Sequence, residues 1–177
     1  MASDQPATTL HEGHYLSLQC RDGWEFVHRR HPAAIIIAWT PGDELLLVEQ
    51  FRVPIGRRTI ELPAGLVGDE QAHGSEDVLD AAARELEEET GWRAGRVEEI
   101  MACPTSAGMS DETVLFVRAT ELSHVGPGGG DDSEDIVVHR IRRSVIDEWL
   151  KERYANGLAI DPKIFTALYW SLSRSRS

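Results

Sequence analysis

Arg84-Glu85-Leu86-Glu87-Glu88-Glu89-Thr90-Gly91-Trp92 is the stretch on which the fold of this chain turns. It closes a helical pattern with four carboxylates, where a helix would rather carry cations. Aligned peptide dipoles leave partial negative charge at a helix C-terminus, and like charges three or four positions apart repel. Stability alone does not explain such a run. Glu85, Glu88 and Glu89 stand at i, i+3 and i+4, so they share one helical face and can converge on a point. A solvated face is the ordinary fate of a Glu-rich helix. A hard divalent cation, which takes oxygen ligands, is the alternative that turns the repulsion into a site.

Upstream, Val78, Leu79, Ala82, Ala83 and Leu86 recur at helical spacing. They predict a helix over residues 76–90, with Glu76 and Asp77 at its favourable acidic start, Ser75 as N-cap and Gly91 as C-cap. Residues 15–20 and 24–28 alternate around Arg21-Asp22-Gly23, which reads as a hairpin, and the polar residues before them read as frayed. Residues 33–39 and 44–51 are continuous apolar segments around Thr40-Pro41-Gly42-Asp43, two core strands joined by a tight turn. A short strand at 59–62 runs into Pro63-Ala64-Gly65, where pairing ends.

Downstream, residues 97–102 and 113–119 read as strands on either side of an irregular segment, 103–112. The Gly- and Asp-rich residues 124–135 bury little and predict a mobile loop, followed by an alternating strand over 136–141. The tail carries helices over 144–154 and 161–173, the second opened by Asp161-Pro162. Trp149, Tyr154, Phe165, Tyr169 and Trp170 are most simply core packing. Strands outnumber helices and the helices follow different strands, which gives an α+β class with helices around a mixed sheet.

With 177 residues, 41% of them apolar, the chain suits one domain with a full core. A net charge of −12 repels polyanions and, without a Lys- or Arg-rich stripe, excludes nucleic acid as a partner. Such a surface attracts divalent cations, while a small anionic substrate needs local arginines, of which Arg52, Arg57 and Arg58 stand together. The longest apolar run, 33–39, is too short to cross a bilayer, and no basic-then-apolar leader is seen. Cys20 and Cys103 are lone thiols, which suits a reducing compartment. The expectation is a cytoplasmic protein with no membrane partner.

Glu76, seven intervening residues and Arg84 to Trp92 fit the signature of the Nudix hydrolases: Gly, five residues, Glu, seven residues, then Arg-Glu-aliphatic-x-Glu-Glu-x-Gly-bulky. The spacing departs at one place, since ten residues separate Gly65 from Glu76, and seven separate Gly68 from it. This is a longer strand-to-helix loop, a cheap insertion. Gln50-Phe51-Arg52, Glu61-Leu62-Pro63-Ala64-Gly65 and Ser106-Ala107-Gly108-Met109-Ser110-Asp111-Glu112 resemble the ADP-ribose and nucleotide-sugar pyrophosphatase branch. The resemblance implies an α/β/α sandwich around a mixed β-sheet with an N-terminal β-hairpin extension. Residues 1–12 are then a flexible N-terminus and 13–177 a single domain, whose hairpin at 13–31 reaches across a homodimer.

The resemblance also implies the chemistry: hydrolysis of the pyrophosphate bridge of a nucleoside diphosphate sugar or ADP-ribose, with Mg2+, or Mn2+ in its place, neutralising phosphoryl oxygens and activating water. Glu85 and Glu89 are implied as the principal metal ligands, Glu88 as a further ligand or catalytic carboxylate, and the Ala64 carbonyl as an additional ligand. Glu87 is expected to point elsewhere. Arg84 is expected to hold the glutamates by its planar fork. Arg52 is expected to clamp a phosphate, Glu61 to contact sugar hydroxyls or orient Arg52, and Met109 to line the substrate site. Glu134, in the acidic segment before a late strand, is implied as the catalytic base or as a metal ligand, with Asp132 as rival.

Ala107 stands where the ADP-ribose members tend to carry proline, so a GDP-sugar or a broader nucleotide-sugar preference is as plausible. Oxidised nucleoside triphosphates and dinucleoside polyphosphates fit the box but not the flanking motifs. A non-catalytic sensor of nucleotide sugars is the reading from another class.

Overall fold

The computed structural model describes residues 6–66, 77–130 and 135–172. The chain begins with β1 (Thr8–Glu12), β2 (Leu16–Arg21) and β3 (Trp24–Arg29), which pair antiparallel in that order. Asp22 and Gly23 both take positive φ, 53° and 79°, the conformation of a two-residue hairpin turn that matches strand twist. The expected hairpin is therefore a three-stranded sheet. Thr8–Glu12, read from its polarity as frayed, is held by backbone pairing to β2 rather than by burial.

β4 (Ala33–Ala38) and β5 (Glu44–Arg52) flank the expected turn, where Asp43 has φ 56°. A 3-10 turn at Val53–Ile55 leads to β6 (Arg57–Glu61) and then β7 (Ala64–Leu66). Helix α1 (Val78–Thr90) follows. Its N-cap is Asp77, whose side chain accepts from the Leu79 N–H at 2.9 Å; Ser75, the expected cap, lies outside the described residues. Gly91 ends the helix at φ 73°, as a left-handed C-cap requires.

Then come β8 (Trp92–Arg93), β9 (Arg96–Pro104), β10 (Thr113–Thr120), β11 (Ser123–His124), β12 (Val137–Arg142), α2 (Ile146–Ala155), β13 (Ala159–Ile160) and α3 (Lys163–Leu172). Among the described residues, β7-β4-β10-β9 form one mixed sheet, with β4 and β10 parallel, and β12-β5-β6-β13 form another, with β6 and β13 parallel. A bridge between Trp39 and Leu45 links them at the β4–β5 turn.

Both faces of these strands are covered, which explains apolar runs without alternation. Ala34, Ile36, Ala38 and Leu46 pack with Ala81, Ala82 and Leu86 of α1, whereas Ile35, Ile37, Leu45 and Leu47 pack with Ile146 and Leu150 of α2 and Ile164 and Ala167 of α3. The result is helix, sheet, helix, an α+β sandwich of the expected kind. α1 lies beside β7 as well as β4, and that neighbour positions the site.

Candidate active site

The face of α1 that carries Leu86 is buried in the core, and Glu85 and Glu89 lie against β7, at the edge of the sheet. Gly65 makes the approach possible, since a Cβ there would overlap Cγ and Cδ of Glu85. Glu89 is only 4% exposed, and its Oε2 accepts from the Ala64 N–H at 3.1 Å. A buried carboxylate is costly unless hydrogen-bonded, so this amide is part of what keeps Glu89 in place.

Arg84 lies between the other two carboxylates. Its Nη2 donates to Glu85 Oε1 at 3.0 Å and its Nη1 to Glu88 Oε2 at 2.8 Å. Glu85, Glu88 and Glu89 thus share a face, but the first two are turned to Arg84 and the third to β7. Among the described residues no three acid, histidine or cysteine side chains stand close enough to hold an ion as they are. The guanidinium fork takes one oxygen from each of Glu85 and Glu88. Glu87 points elsewhere, onto Arg93, which donates to both of its oxygens at 2.8 Å and holds its carboxyl below the usual carboxylate range.

On the neighbouring strands Arg52 and Glu61 form a bidentate pair, Nε to Oε1 at 2.7 Å and Nη2 to Oε2 at 2.6 Å. Hydrogen bonding to Glu61 pushes the Arg52 guanidinium above its ordinary value, and the charges of Glu61, Glu89 and Asp161 add to this. Glu61 is buried while Arg52 keeps part of its surface in solvent, a carboxylate holding a cation toward water.

Met109 belongs to a separate set of contacts. It is 62% exposed on the segment 106–112, which docks on β3: the Val27 N–H donates to the Met109 carbonyl at 2.8 Å and the Asp111 N–H to the Val27 carbonyl at 3.2 Å. His28 Nδ1 lies 2.7 Å from Asp111 Oδ2, and Arg29 Nε 3.0 Å from Glu112 Oε1. Support of this segment by the N-terminal sheet had no sequence signal short of the paired charges. Glu76, Asp132 and Glu134 lie outside the described residues.

Two further arrangements were missed. Arg58 donates to Glu49 Oε1 and to Asp135 Oδ2, each at 2.6 Å, and His139 Nε2 is 3.0 Å from the other Glu49 oxygen. Although burial pushes the Glu49 carboxyl up, hydrogen bonds from His139 and Arg58 hold it below its ordinary value. Residues 125–130, expected to be mobile, dock on the end of α1: the amides of Gly129 and Gly130 donate to the carbonyls of Glu89 and Glu88 at 2.8 and 3.1 Å. The run Gly126-Pro127-Gly128-Gly129-Gly130 was the available signal, because such close backbone packing needs glycine.

The family pattern of the NUDIX domain matches residues 29–152. The chain belongs to the Nudix family. Glu85 to Glu89 therefore stand on the Nudix helix. The chain is 40% identical over 97 residues to an ADP-ribose pyrophosphatase of Bacillus subtilis, an alignment covering 53% of this chain and 49% of that one. It is 36% identical over 109 residues to a methanol dehydrogenase activator of Bacillus methanolicus, covering 61% and 56%. It is 31% identical over 138 residues to an ADP-ribose pyrophosphatase of Escherichia coli, covering 72% and 63%. The chain thus spans about half the length of the first two of these curated relatives. The fold is that of a crystal structure of an ADP compounds hydrolase, with a TM-score of 0.70, 20% identity and full coverage of both chains.

Proposed function

We propose that this Nudix protein hydrolyses the pyrophosphate bridge of ADP-ribose or a nucleoside diphosphate sugar, with Mg2+, to a nucleoside monophosphate and a sugar phosphate. The observation that carries the reading is the buried Glu89 carboxylate held against the Ala64 amide, with Glu85 pressed on Gly65 beside it. Oxygen donors of this kind, on one helix face and the adjoining backbone, suit a hard divalent cation. Glu85, Glu88, Glu89 and the Ala64 carbonyl are the residues that would hold it. When bound, the cation supplies positive charge to the phosphoryl oxygens as negative charge builds there.

The chain's own groups do the rest. Arg84 sets the rotamers of Glu85 and Glu88 through its two hydrogen bonds. Arg52, oriented by Glu61, clamps a phosphate oxygen. Water bonds to one phosphorus as the bridging P–O bond breaks, the leaving phosphate departs with the bond pair, and Glu134 takes the water proton. Met109, on the segment braced by β3, lines the substrate side.

ADP-ribose pyrophosphatases among the relatives support the substrate class. We take its place of work to be the cytoplasm, which suits the two free thiols Cys20 and Cys103. Exposed Leu10, Tyr15, Leu16, Leu18 and Trp24 on the N-terminal sheet support a homodimer, which a monomer by light scattering rejects.

The testing experiment is a panel of ADP-ribose, GDP-mannose, UDP-glucose and nucleoside triphosphates, scored for monophosphate release with and without Mg2+. Full activity in chelator rejects the metal role. A second reading, a regulator that binds the nucleotide and acts on a partner enzyme, is favoured by the relative named an activator. Binding in Mg2+ with no product over hours selects it.

A further inference from the structure

The Nudix helix ends on acidic side chains and has no basic residue in its last turn, so something other than a cation must satisfy its terminal carbonyls. Residues 125–130 do so from a distant part of the chain. The Gly130 N–H donates to the Glu88 carbonyl, the Gly129 N–H to the Glu89 carbonyl, and the amides of Val125 and Gly126 both to the Gly91 carbonyl; the Gly91 N–H closes on Glu87. The carbonyls of two proposed metal ligands are thus tied to one glycine segment.

The fit excludes side chains. Gly128, Gly129 and Gly130 have φ of 69°, 112° and 75°. A Cβ on Gly128 would overlap the Thr90 carbonyl carbon and lie 2.7 Å from the Glu89 oxygen, and one on Gly91 would overlap the Gly126 carbonyl. These are backbone obstacles, which no rotamer change relieves.

We infer that residues 125–130 are a positioning element for the proposed metal ligands, with Gly128 as its keystone: the segment holds the Glu88–Glu89 turn helical against its own charge repulsion, so that both carboxylates keep their direction. Its amides contribute partial positive charge where a lysine or arginine would otherwise stand, without placing a competing cation on the carboxylates. The inference rests on the metal reading given above.

The test titrates the purified 177-residue chain with Mn2+, following free ion by electron paramagnetic resonance. Gly128→Ala is compared with Gly157→Ala, a control at φ 88° with open space around it, which carries left-handed strain away from α1. The expected result is Mn2+ binding about tenfold weaker in Gly128→Ala, the scale of lost support around a metal ligand, with the control binding as the unaltered protein does. Equal Mn2+ affinity in Gly128→Ala overturns the inference alone; no Mn2+ binding by the unaltered protein overturns the metal reading and the inference with it. Should Gly128→Ala fail to fold, hydrogen exchange on the unaltered protein decides. Slower exchange at the Gly129 and Gly130 amides on Mg2+ saturation supports the coupling, and unchanged exchange overturns it.

Discussion

Arg52 and Glu61 lie on paired strands, Arg52 opposite Arg57 and Glu61 opposite Val48, and their side chains meet through two parallel hydrogen bonds of 2.7 and 2.6 Å. The pair fixes the plane of the guanidinium, so its value to the proposed phosphate clamp lies in geometry as much as in charge. Glu61→Gln keeps the shape but removes the charge and one of the two acceptors, leaving one Arg52 N–H facing an amide NH2. The expected outcome is a fall in kcat/KM of about 10²-fold, the scale of a slightly misplaced positioning group, expressed mainly in KM. Steady-state kinetics on the preferred substrate of the panel check it.

Glu89 is the most enclosed of the three box carboxylates. Glu89→Gln preserves a group able to accept from the Ala64 N–H while removing the charge. The fold should survive, with far-ultraviolet circular dichroism unchanged, while the Mg2+ concentration for half-maximal activity rises by about 10- to 100-fold. An unaltered Mg2+ requirement removes Glu89 from the ligand set.

Gly65 is small because Glu85 occupies the space a side chain would need. Gly65→Ala should displace the Glu85 carboxylate and cost about 1–3 kcal/mol through overpacking. Chemical denaturation gives the stability change, and turnover should fall by more than the fraction unfolded accounts for.

Glu49 links stability to acid. Its folded-state carboxyl lies below the ordinary value of 4.5 because His139 and Arg58 outweigh burial. A depressed folded value contributes stability that is complete above the unfolded value and lost as pH falls through the folded one. Melting temperature should therefore drop below pH 4.5, and Glu49→Gln should flatten that drop. Parallel pH profiles for the two proteins sink the assignment.

Much of this was legible in the residues themselves. Continuous apolar runs at 33–39 and 44–51 announced strands buried on both faces, and the spacing of Val78, Ala82 and Leu86 announced the helix whose last turns bear the acids. Other elements were not legible because their cause lies far along the chain. Ala159–Ile160 is a strand only through its parallel pairing with Thr59–Ile60. Thr8–Glu12 has no apolar pattern and exists through its partner.

The site divides in the same way. Helical spacing placed Glu85, Glu88 and Glu89 on one face, and the motif named Arg52 and Glu61. Nothing in the local sequence could say that Asp135 would be gripped by Arg58. The glycine-rich run 126–130 reads as looseness by composition, whereas the positive φ angles of Gly128, Gly129 and Gly130 and its backbone contacts make it a fitted part.

Four alanines, Ala34 and Ala38 on the sheet and Ala81 and Ala82 on the Nudix helix, belong to one packed layer. Their methyl groups act as shims. The layer seats α1 on β4, so thickening it by a methylene or two should shift the acid-bearing helix relative to β7 without altering any of its glutamates.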